Sequence, residues 1–152
     1  MGTFHFYHPI EIRYADIDAQ GHVNNAKYLT YMEQARMAYF LKLGMWDGAS
    51  FVEIGTILAH VEVNYLAPIR LLQSIRVGVR VSRLGNKSLT MVYSLQDTQT
   101  GQELATGESV IVAFDYQQGQ SIPVPGPWRQ NILAFEQTVL YPLEPSGELS
   151  KV

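Results

Sequence analysis

The chain of 152 residues contains no cysteine. This absence excludes disulfides and a thiol nucleophile, and it is compatible with a reducing compartment. The 11 basic residues form no basic run or basic helix face, so no nucleic-acid partner is expected. No apolar run approaches the roughly 18 residues of a membrane span. The start of the sequence has no secretory signal, and Phe6 stands where a myristoylation signal requires Ser or Thr. We therefore expect a cytoplasmic protein without a membrane span.

Several common catalytic motifs are also missing. No G-x-S-x-G sequence occurs, and neither common kind of glycine-rich phosphate loop is present. These absences argue against a serine hydrolase and against the usual nucleotide-binding folds. The four histidines do not all lie on one predicted element and lack metal-ligand spacing, so no metal site is expected. They are His5, His8, His22 and His60.

The composition is that of a globular protein, with 47% hydrophobic and 16% charged residues. A chain of this length suits one domain with a sizeable core. We predict a single domain over residues 1–138, followed by a polar C-terminal tail over residues 139–152.

One long helix is predicted near the start of the chain. Before it, alternation from Phe4 to Tyr14 predicts a first strand. Asn24 is a good N-cap, no Gly or Pro interrupts the sequence as far as Leu43, and Gly44 ends the helix. The helix carries a wide apolar stripe, which favours burial on more than one side. The stripe consists of Ala35, Tyr28, Tyr39, Met32, Leu43, Leu29 and Phe40.

Four runs of alternating hydrophobicity follow and predict four further strands. Short turns link them, which indicates an antiparallel meander. A short helix from Arg129 to Thr138 comes after a loop. The predicted fold class is α+β, with an antiparallel five-stranded sheet wrapped around one long central helix. The apolar positions of the runs are Ile57, Ala59, Val61, Val63 and Tyr65; Ile75 to Val81; Leu89 to Leu95; and Leu104 to Phe114, with Val110 and Val112 between.

The most unusual stretch is "RYADIDAQGHVNNAKYLTYMEQAR", where the first strand gives way to the helix. Asp18 followed by Gly21 is common turn chemistry, and this is the simpler interpretation of the acid. The helix start offers unpaired backbone N–H groups and a partial positive charge, which could polarise a carbonyl oxygen. An acid just upstream could attack that carbonyl or activate water. The stretch therefore contains both halves of an acyl-transfer site.

This stretch, with its D-x-D-x-x-G-H-V-N-N-x-x-Y spacing, also resembles a known family. Together with "VEVNYLAPI" and "ATGESVIVAFD", it is similar to the 4-hydroxybenzoyl-CoA thioesterase-like group of hotdog-fold acyl-thioester hydrolases. The resemblance covers about Ile10 to Phe135 and implies the hotdog fold, thioester hydrolysis without a cofactor, and a homodimer or homotetramer. The implied substrate is an acyl-CoA or an acyl-ACP.

The resemblance also implies roles for individual residues. Asp18 matches the catalytic carboxylate, acting as nucleophile or general base, and Asn25 matches the residue whose N–H polarises the thioester carbonyl. The segment is similar to acyl-ACP thioesterases as well, where an Asp, an Asn and a His are implicated. Asp18 and His22 match that pattern, whereas Gln20 replaces the Asn.

Each further candidate has a structural alternative. His22 serves either as a support of the loop or in catalysis, and Asn24 as a cap or as part of the substrate site. Tyr65 is either a core residue or part of an acyl pocket. Arg83, Lys87 and Ser88 lie at one predicted hairpin turn and are candidates for binding the substrate, the two cations through the CoA phosphates. The alternative for the two cations is solvated surface charge. Glu33 and Arg36 lie one helical turn apart, and we interpret them as a structural ion pair.

Hydrolysis of an acyl thioester is thus the leading functional hypothesis. One alternative is a hotdog-fold dehydratase or hydratase, which would use a His paired with a carboxylate and therefore His22. The other is a noncatalytic protein that binds an acyl thioester, because a fold alone does not confer activity.

Overall fold

The computed structural model describes residues 4–50 and 54–136. A 3-10 turn at Tyr14–Asp16 precedes the first helix. The elements, in chain order, are β1 (Tyr7–Ile10), α1 (Asn25–Lys42), β2 (Ile54–Tyr65), β3 (Ile75–Leu84), β4 (Ser88–Asp97), β5 (Glu103–Asp115), β6 (Gln120–Ser121) and α2 (Gly126–Glu136).

One antiparallel sheet contains all of these strands, in the order β1-β3-β4-β5-β2, with the two-residue β6 paired to β5. Helix α1 packs against one face of the sheet. The prediction of an α+β fold with five main strands around a long helix is therefore confirmed. The predicted first strand was too long, because β1 spans only four residues and the chain then turns at Tyr14–Asp16.

The predicted meander is only partly right. Strands β3, β4 and β5 are consecutive neighbours, but β2 pairs with β5 and β1 pairs with β3. The segment between β2 and β3 therefore carries the chain from the β2 edge of the sheet to β3, the strand next to the opposite edge strand β1. β2 has a free edge among the described residues, and its last residue, Tyr65, contacts the start of α1.

Helix α1 begins and ends as predicted. The Asn24 side chain accepts a hydrogen bond from the Ala26 N–H, and Gly44 follows the C-cap with φ of +72°. The buried side chains form the predicted stripe except that Leu29 is exposed and Tyr31 is buried. Those buried residues are Tyr28, Tyr31, Met32, Ala35, Arg36, Tyr39 and Phe40.

From Ala105 onward, the buried face of β5 is the opposite of the predicted one, whereas Leu104 is buried as predicted. Small residues face α1, and Val110 and Val112 lie half-buried on the outer face. The helix is so close that a Cβ added to Gly107 would lie 2.5 Å from the Met32 Cε. Hydrophobicity alone misidentified the face because close packing here requires small side chains. The inward positions are Ala105, Gly107, Ser109, Ile111 and Ala113.

A β-bulge in β2 breaks the alternation predicted for that strand. Ile57 lies opposite Val112 on the outer face, whereas Val63 lies opposite Gly107 on the inner face, and the register shifts between Leu58 and His60. An extra residue at a bulge moves all later side chains to the other face. Ile57 and Tyr65 therefore do not share a face as predicted.

Helix α2 starts three residues earlier than predicted, with Pro127 in its first turn, a favourable position for proline. Its last described residue, Glu136, accepts hydrogen bonds from the Val81 N–H and the Tyr39 hydroxyl. These bonds join α2 to β3 and α1. The predicted polar tail lies outside the described residues.

Candidate active site

The residues before Asp18 are anchored by a buried carboxylate, that of Asp16. Its exposed fraction is only 1%. It accepts hydrogen bonds from the Arg13 N–H at 3.1 Å, the Arg13 Nη2 at 3.0 Å and the Tyr31 hydroxyl at 2.7 Å, and the Lys27 Nζ lies 3.9 Å away. Burial raises the pKa of Asp16, but the hydrogen bonds from Arg13 and Tyr31 outweigh it, and the pKa lies below its ordinary value. Asp16 thus ties the turn to helix α1.

Residues 17–23 form a tight hairpin that presents Asp18. The Asp18 N–H donates to the His22 carbonyl at 3.0 Å, the Gly21 N–H donates to the Asp18 carbonyl at 3.0 Å, and Ile17 pairs with Val23. Gly21 has φ of +83°, which L side chains rarely adopt. The turn interpretation of Asp18 is therefore confirmed, and it leaves the carboxylate available for chemistry.

The Asp18 carboxylate is half-buried and held at both oxygens. Oδ1 accepts a hydrogen bond from the Gln20 N–H at 2.9 Å, and Oδ2 accepts one from the Asn24 Nδ2 at 3.4 Å. Gln20 supplies only its backbone N–H to Asp18, and the residue itself is exposed. The Gln-for-Asn replacement at this position therefore leaves the backbone support of Asp18 intact.

The start of helix α1 leaves one backbone donor open. The Ala26 N–H donates to the Asn24 Oδ1 at 2.9 Å, and the Lys27 N–H donates to the Asn24 carbonyl at 2.9 Å. Within residues 4–50 and 54–136, no group accepts a hydrogen bond from the Asn25 N–H. This donor lies at the positive end of an 18-residue helix and is exposed. It is therefore available to a carbonyl oxygen.

Tyr65 contacts the same helix start from β2. Its hydroxyl donates to the Asn25 carbonyl at 3.0 Å, and its ring packs edge-on against that of Tyr28, with centroids 4.8 Å apart. Tyr65 remains 49% exposed, so the interpretation as a core residue is wrong. It lies at the end of an edge strand, and its contacts with Tyr28 and Asn25 leave it half-exposed.

His22 contributes its backbone to the hairpin. Its carbonyl accepts from Asp18, whereas its half-buried imidazole makes no hydrogen bond to another described residue. His22 therefore supports the loop through its backbone carbonyl and not through its imidazole.

Arg83, Lys87 and Ser88 lie far from Asp18 within one chain. Tyr65 pairs with Ala105, whereas Ser88 pairs with Val112, seven residues further along β5. This spacing corresponds to about 23 Å along the strand. Arg83 is exposed, Lys87 is half-buried and Ser88 is buried. The chain alone does not bring these candidates to the helix start.

The Glu33–Arg36 pair predicted from the sequence is present. The Arg36 Nη2 lies 3.7 Å from the Glu33 Oε2, and the Arg36 Nη1 donates to the buried Tyr93 hydroxyl at 3.2 Å. The Tyr93 hydroxyl in turn lies 2.6 Å from the Ser109 Oγ. These contacts give the buried guanidinium its partners and join α1 to the sheet.

A cavity of about 360 Å³ lies beside the Asp16 anchor, between β1 and α1. Its lining includes Arg13, Asp16, Thr30 and Tyr31, but not Asp18, His22 or Asn25. The described part of the chain contains no group of His, Asp and Glu side chains that could hold a metal ion. None of its helices is long and apolar enough to cross a membrane.

Comparison with known proteins identifies the family. The model of the thioesterase-like superfamily matches residues 12–133, so the chain belongs to this superfamily. The structural neighbours are hotdog-fold thioesterases, which confirms the fold expected from the resemblance, and the reaction class is thioester hydrolysis.

Three similar proteins illustrate this relationship. A thioesterase from Thermus thermophilus, solved in complex with coenzyme A and Zn, is 35% identical, with 90% of this chain and 98% of that chain covered and a TM-score of 0.78. The long-chain acyl-CoA thioesterase FadM of Escherichia coli is 25% identical, covering 81% of this chain and 93% of that protein. The uncharacterized protein YsmA of Bacillus subtilis is 29% identical, covering 79% and 80%.

Proposed function

We propose that the protein hydrolyses an acyl-CoA thioester to the free carboxylic acid and coenzyme A. The observation that carries this proposal is the open Asn25 N–H at the start of α1, combined with the nearby Asp18 carboxylate. The similarity to FadM and to a thioesterase that binds coenzyme A supports CoA as the carrier.

In this proposal the thioester carbonyl oxygen accepts a hydrogen bond from the Asn25 N–H. That bond and the helix dipole stabilise the negative charge that develops on the oxygen as the carbonyl carbon is attacked. Asp18 either attacks the carbon itself, giving an anhydride that water then hydrolyses, or removes a proton from an attacking water. In both routes the C–S bond breaks and the thiolate leaves. One water is consumed for each acid and thiol released.

Asn24 and Tyr65 surround the helix start in this scheme. Tyr65 is half-exposed beside Asn25, so its ring is placed to line the path of the acyl group. The His22 imidazole makes no hydrogen bond to a carboxylate among the described residues, which favours hydrolysis over the acid–base pair that hydration would need.

A homodimer would complete the site. The free edge of β2 can pair with the β2 of a second copy, because an edge strand offers unpaired backbone groups. A two-fold antiparallel pairing places the start of the partner's β2 beside the end of β2 that carries Tyr65. The partner's β3–β4 hairpin lies at that same end of the partner's sheet. Arg83, Lys87 and Ser88 would then approach the substrate phosphates from the other subunit, and a homotetramer would consist of two such dimers.

A substrate panel tests the proposal. Thiol release is followed with a thiol-reactive dye for short-chain, long-chain and aromatic acyl-CoAs and for acyl-ACP, with Asp18→Asn run in parallel. Turnover of acyl-CoA by the native protein, lost in the variant, supports the proposal. Turnover of acyl-ACP alone would refute the choice of carrier, and no turnover of any substrate by the folded protein would refute hydrolysis.

A further inference from the structure

Every polar group of Asn24 is engaged at the junction between the hairpin and helix α1. Its N–H donates to the Asp16 carbonyl at 2.8 Å, and its carbonyl accepts from the Lys27 N–H at 2.9 Å. Its side-chain Oδ1 accepts from the Ala26 N–H at 2.9 Å, and its Nδ2 donates to the Asp18 Oδ2 at 3.4 Å. One residue thus connects the helix start to the carboxylate.

The chemistry of the two neighbours fixes the orientation of the Asn24 amide. The Ala26 N–H is a donor and requires the amide oxygen, whereas the Asp18 carboxylate is an acceptor and requires the NH₂ group. The reversed amide would place two donors together on one side and two acceptors together on the other. The bond to Asp18 therefore follows from the bond that caps the helix.

This arrangement sets the Asp18 carboxylate relative to the Asn25 N–H. The Gln20 N–H holds one carboxylate oxygen, and the Asn24 Nδ2 holds the other. Asn25 follows Asn24 directly in the chain, and its N–H points out of the helix start that Asn24 caps. The acid and the open donor are therefore positioned by the same side chain.

We propose that Asn24 is a positioning residue, whose side-chain NH₂ orients the Asp18 carboxylate toward a carbonyl held at the Asn25 N–H. The inference rests on the proposed function, because it concerns how Asp18 is presented to the thioester. It goes beyond helix capping, since capping requires only the side-chain oxygen.

Asn24→Asp separates positioning from capping. Aspartate is as good an N-cap as asparagine, and its charge suits a helix N-terminus, so the fold is expected to be retained. However, the substitution replaces the NH₂ donor with a second carboxylate next to Asp18. Two adjacent carboxylates do not both ionise readily, because like charges oppose each other.

For Asn24→Asp we expect a native melting temperature, a KM within about twofold of native, and a kcat at pH 7 lowered by about tenfold or more. The acid limb of the kcat profile should move to higher pH by about one unit or more. The added carboxylate opposes ionisation of Asp18 whatever the role of Asn24, so the shift of the acid limb reports the new charge, and the kcat of the uncharged variant Asn24→Ser decides whether Asn24 is a positioning residue.

Asn24→Ser is the matched variant without added charge. Serine also caps helices well but is too short to donate to Asp18 in the same way. We expect a native melting temperature and a several-fold lower kcat, with the acid limb at its native pH. If Asn24→Asp fails to fold, Asn24→Ser decides the question: lowered kcat with native KM supports the assignment, and native kcat overturns it.

Parallel measurement of Asp18→Asn separates this inference from the proposed function. If Asp18→Asn is inactive while Asn24→Asp keeps the native kcat and pH profile, only the assignment of Asn24 is overturned. If Asp18→Asn retains native turnover, the proposed function fails, and the role of Asn24 fails with it.

Discussion

The Tyr31 hydroxyl donates a 2.7 Å hydrogen bond to the buried carboxylate of Asp16. This bond joins the second turn of α1 to the 3-10 turn that leads into the Asp18 hairpin. The Asp16 carbonyl also accepts from the Asn24 N–H at the helix start. The hairpin is thus fixed to the helix at two points, and the candidate catalytic groups keep their relative position through these bonds.

Replacing the Asp16 carboxylate should destabilise the fold. Asp16→Asn keeps the size of the side chain but weakens its charge-assisted bonds to Arg13 and Tyr31, at a cost of about 1–3 kcal/mol in the free energy of unfolding. Urea denaturation at neutral pH measures this change. Glu11→Gln, the same loss of charge at an exposed residue nearby, should cost less than about 0.5 kcal/mol. Equal effects of both substitutions would contradict the anchoring role.

The same carboxylate predicts a pH dependence of stability. The pKa of Asp16 is lower in the folded protein than its ordinary value near 3.8, so its ionised form is favoured by folding. The stabilisation is present above about pH 4. It is lost as the pH falls through the lower pKa of the folded state. The difference in unfolding free energy between the native protein and Asp16→Asn should therefore shrink below about pH 4. A difference that stays constant from pH 7 to pH 3 would contradict this prediction.

Tyr65→Phe should affect activity more than stability. It removes the bond to the Asn25 carbonyl but leaves the ring against Tyr28, so we expect a loss below about 1 kcal/mol. A slight displacement of the helix start should lower kcat about 2–10-fold. Tyr116→Phe is a matched control, because Tyr116 has similar exposure and donates to the Thr56 carbonyl at 2.7 Å, away from the helix start. An equal change of kcat in both variants would contradict the role of Tyr65.

Mixed dimers test whether the site contains residues of both subunits. Asp18→Asn protomers are combined with protomers that carry Arg83→Glu and Lys87→Glu. If the two groups act across the interface, each mixed dimer has one unmutated site, and a random equal mixture should show about a quarter of native activity. If both groups act within one chain, the mixture should show no more activity than the mean of the two variants.

The sequence allowed both ends of α1 to be predicted in detail, because the cap of Asn24 and the stop at Gly44 depend on local chemistry. The turn at Gly21 was likewise visible, and Asp18 and Asn25 could be named as candidates from the helix start and from the family resemblance. The role of Asp16 was missed, because its partner Tyr31 is 15 residues away and no local pattern connects them. The face of β5 was misassigned because its inward side chains are small where α1 packs closely. The exposure of Tyr65 depends on the order of the strands, which periodicity does not determine.

The most direct test of the account is the kcat of Asp18→Asn for the best acyl-CoA substrate, measured by thiol release beside Asp16→Asn. The substitution keeps the size of the side chain and its hydrogen-bonding oxygen, but removes the carboxylate that attacks or activates water. We predict a kcat lowered by about 100-fold or more with a native melting temperature, whereas Asp16→Asn should lose stability and retain more of its turnover. An Asp18→Asn protein that keeps at least half of the native kcat would contradict the account.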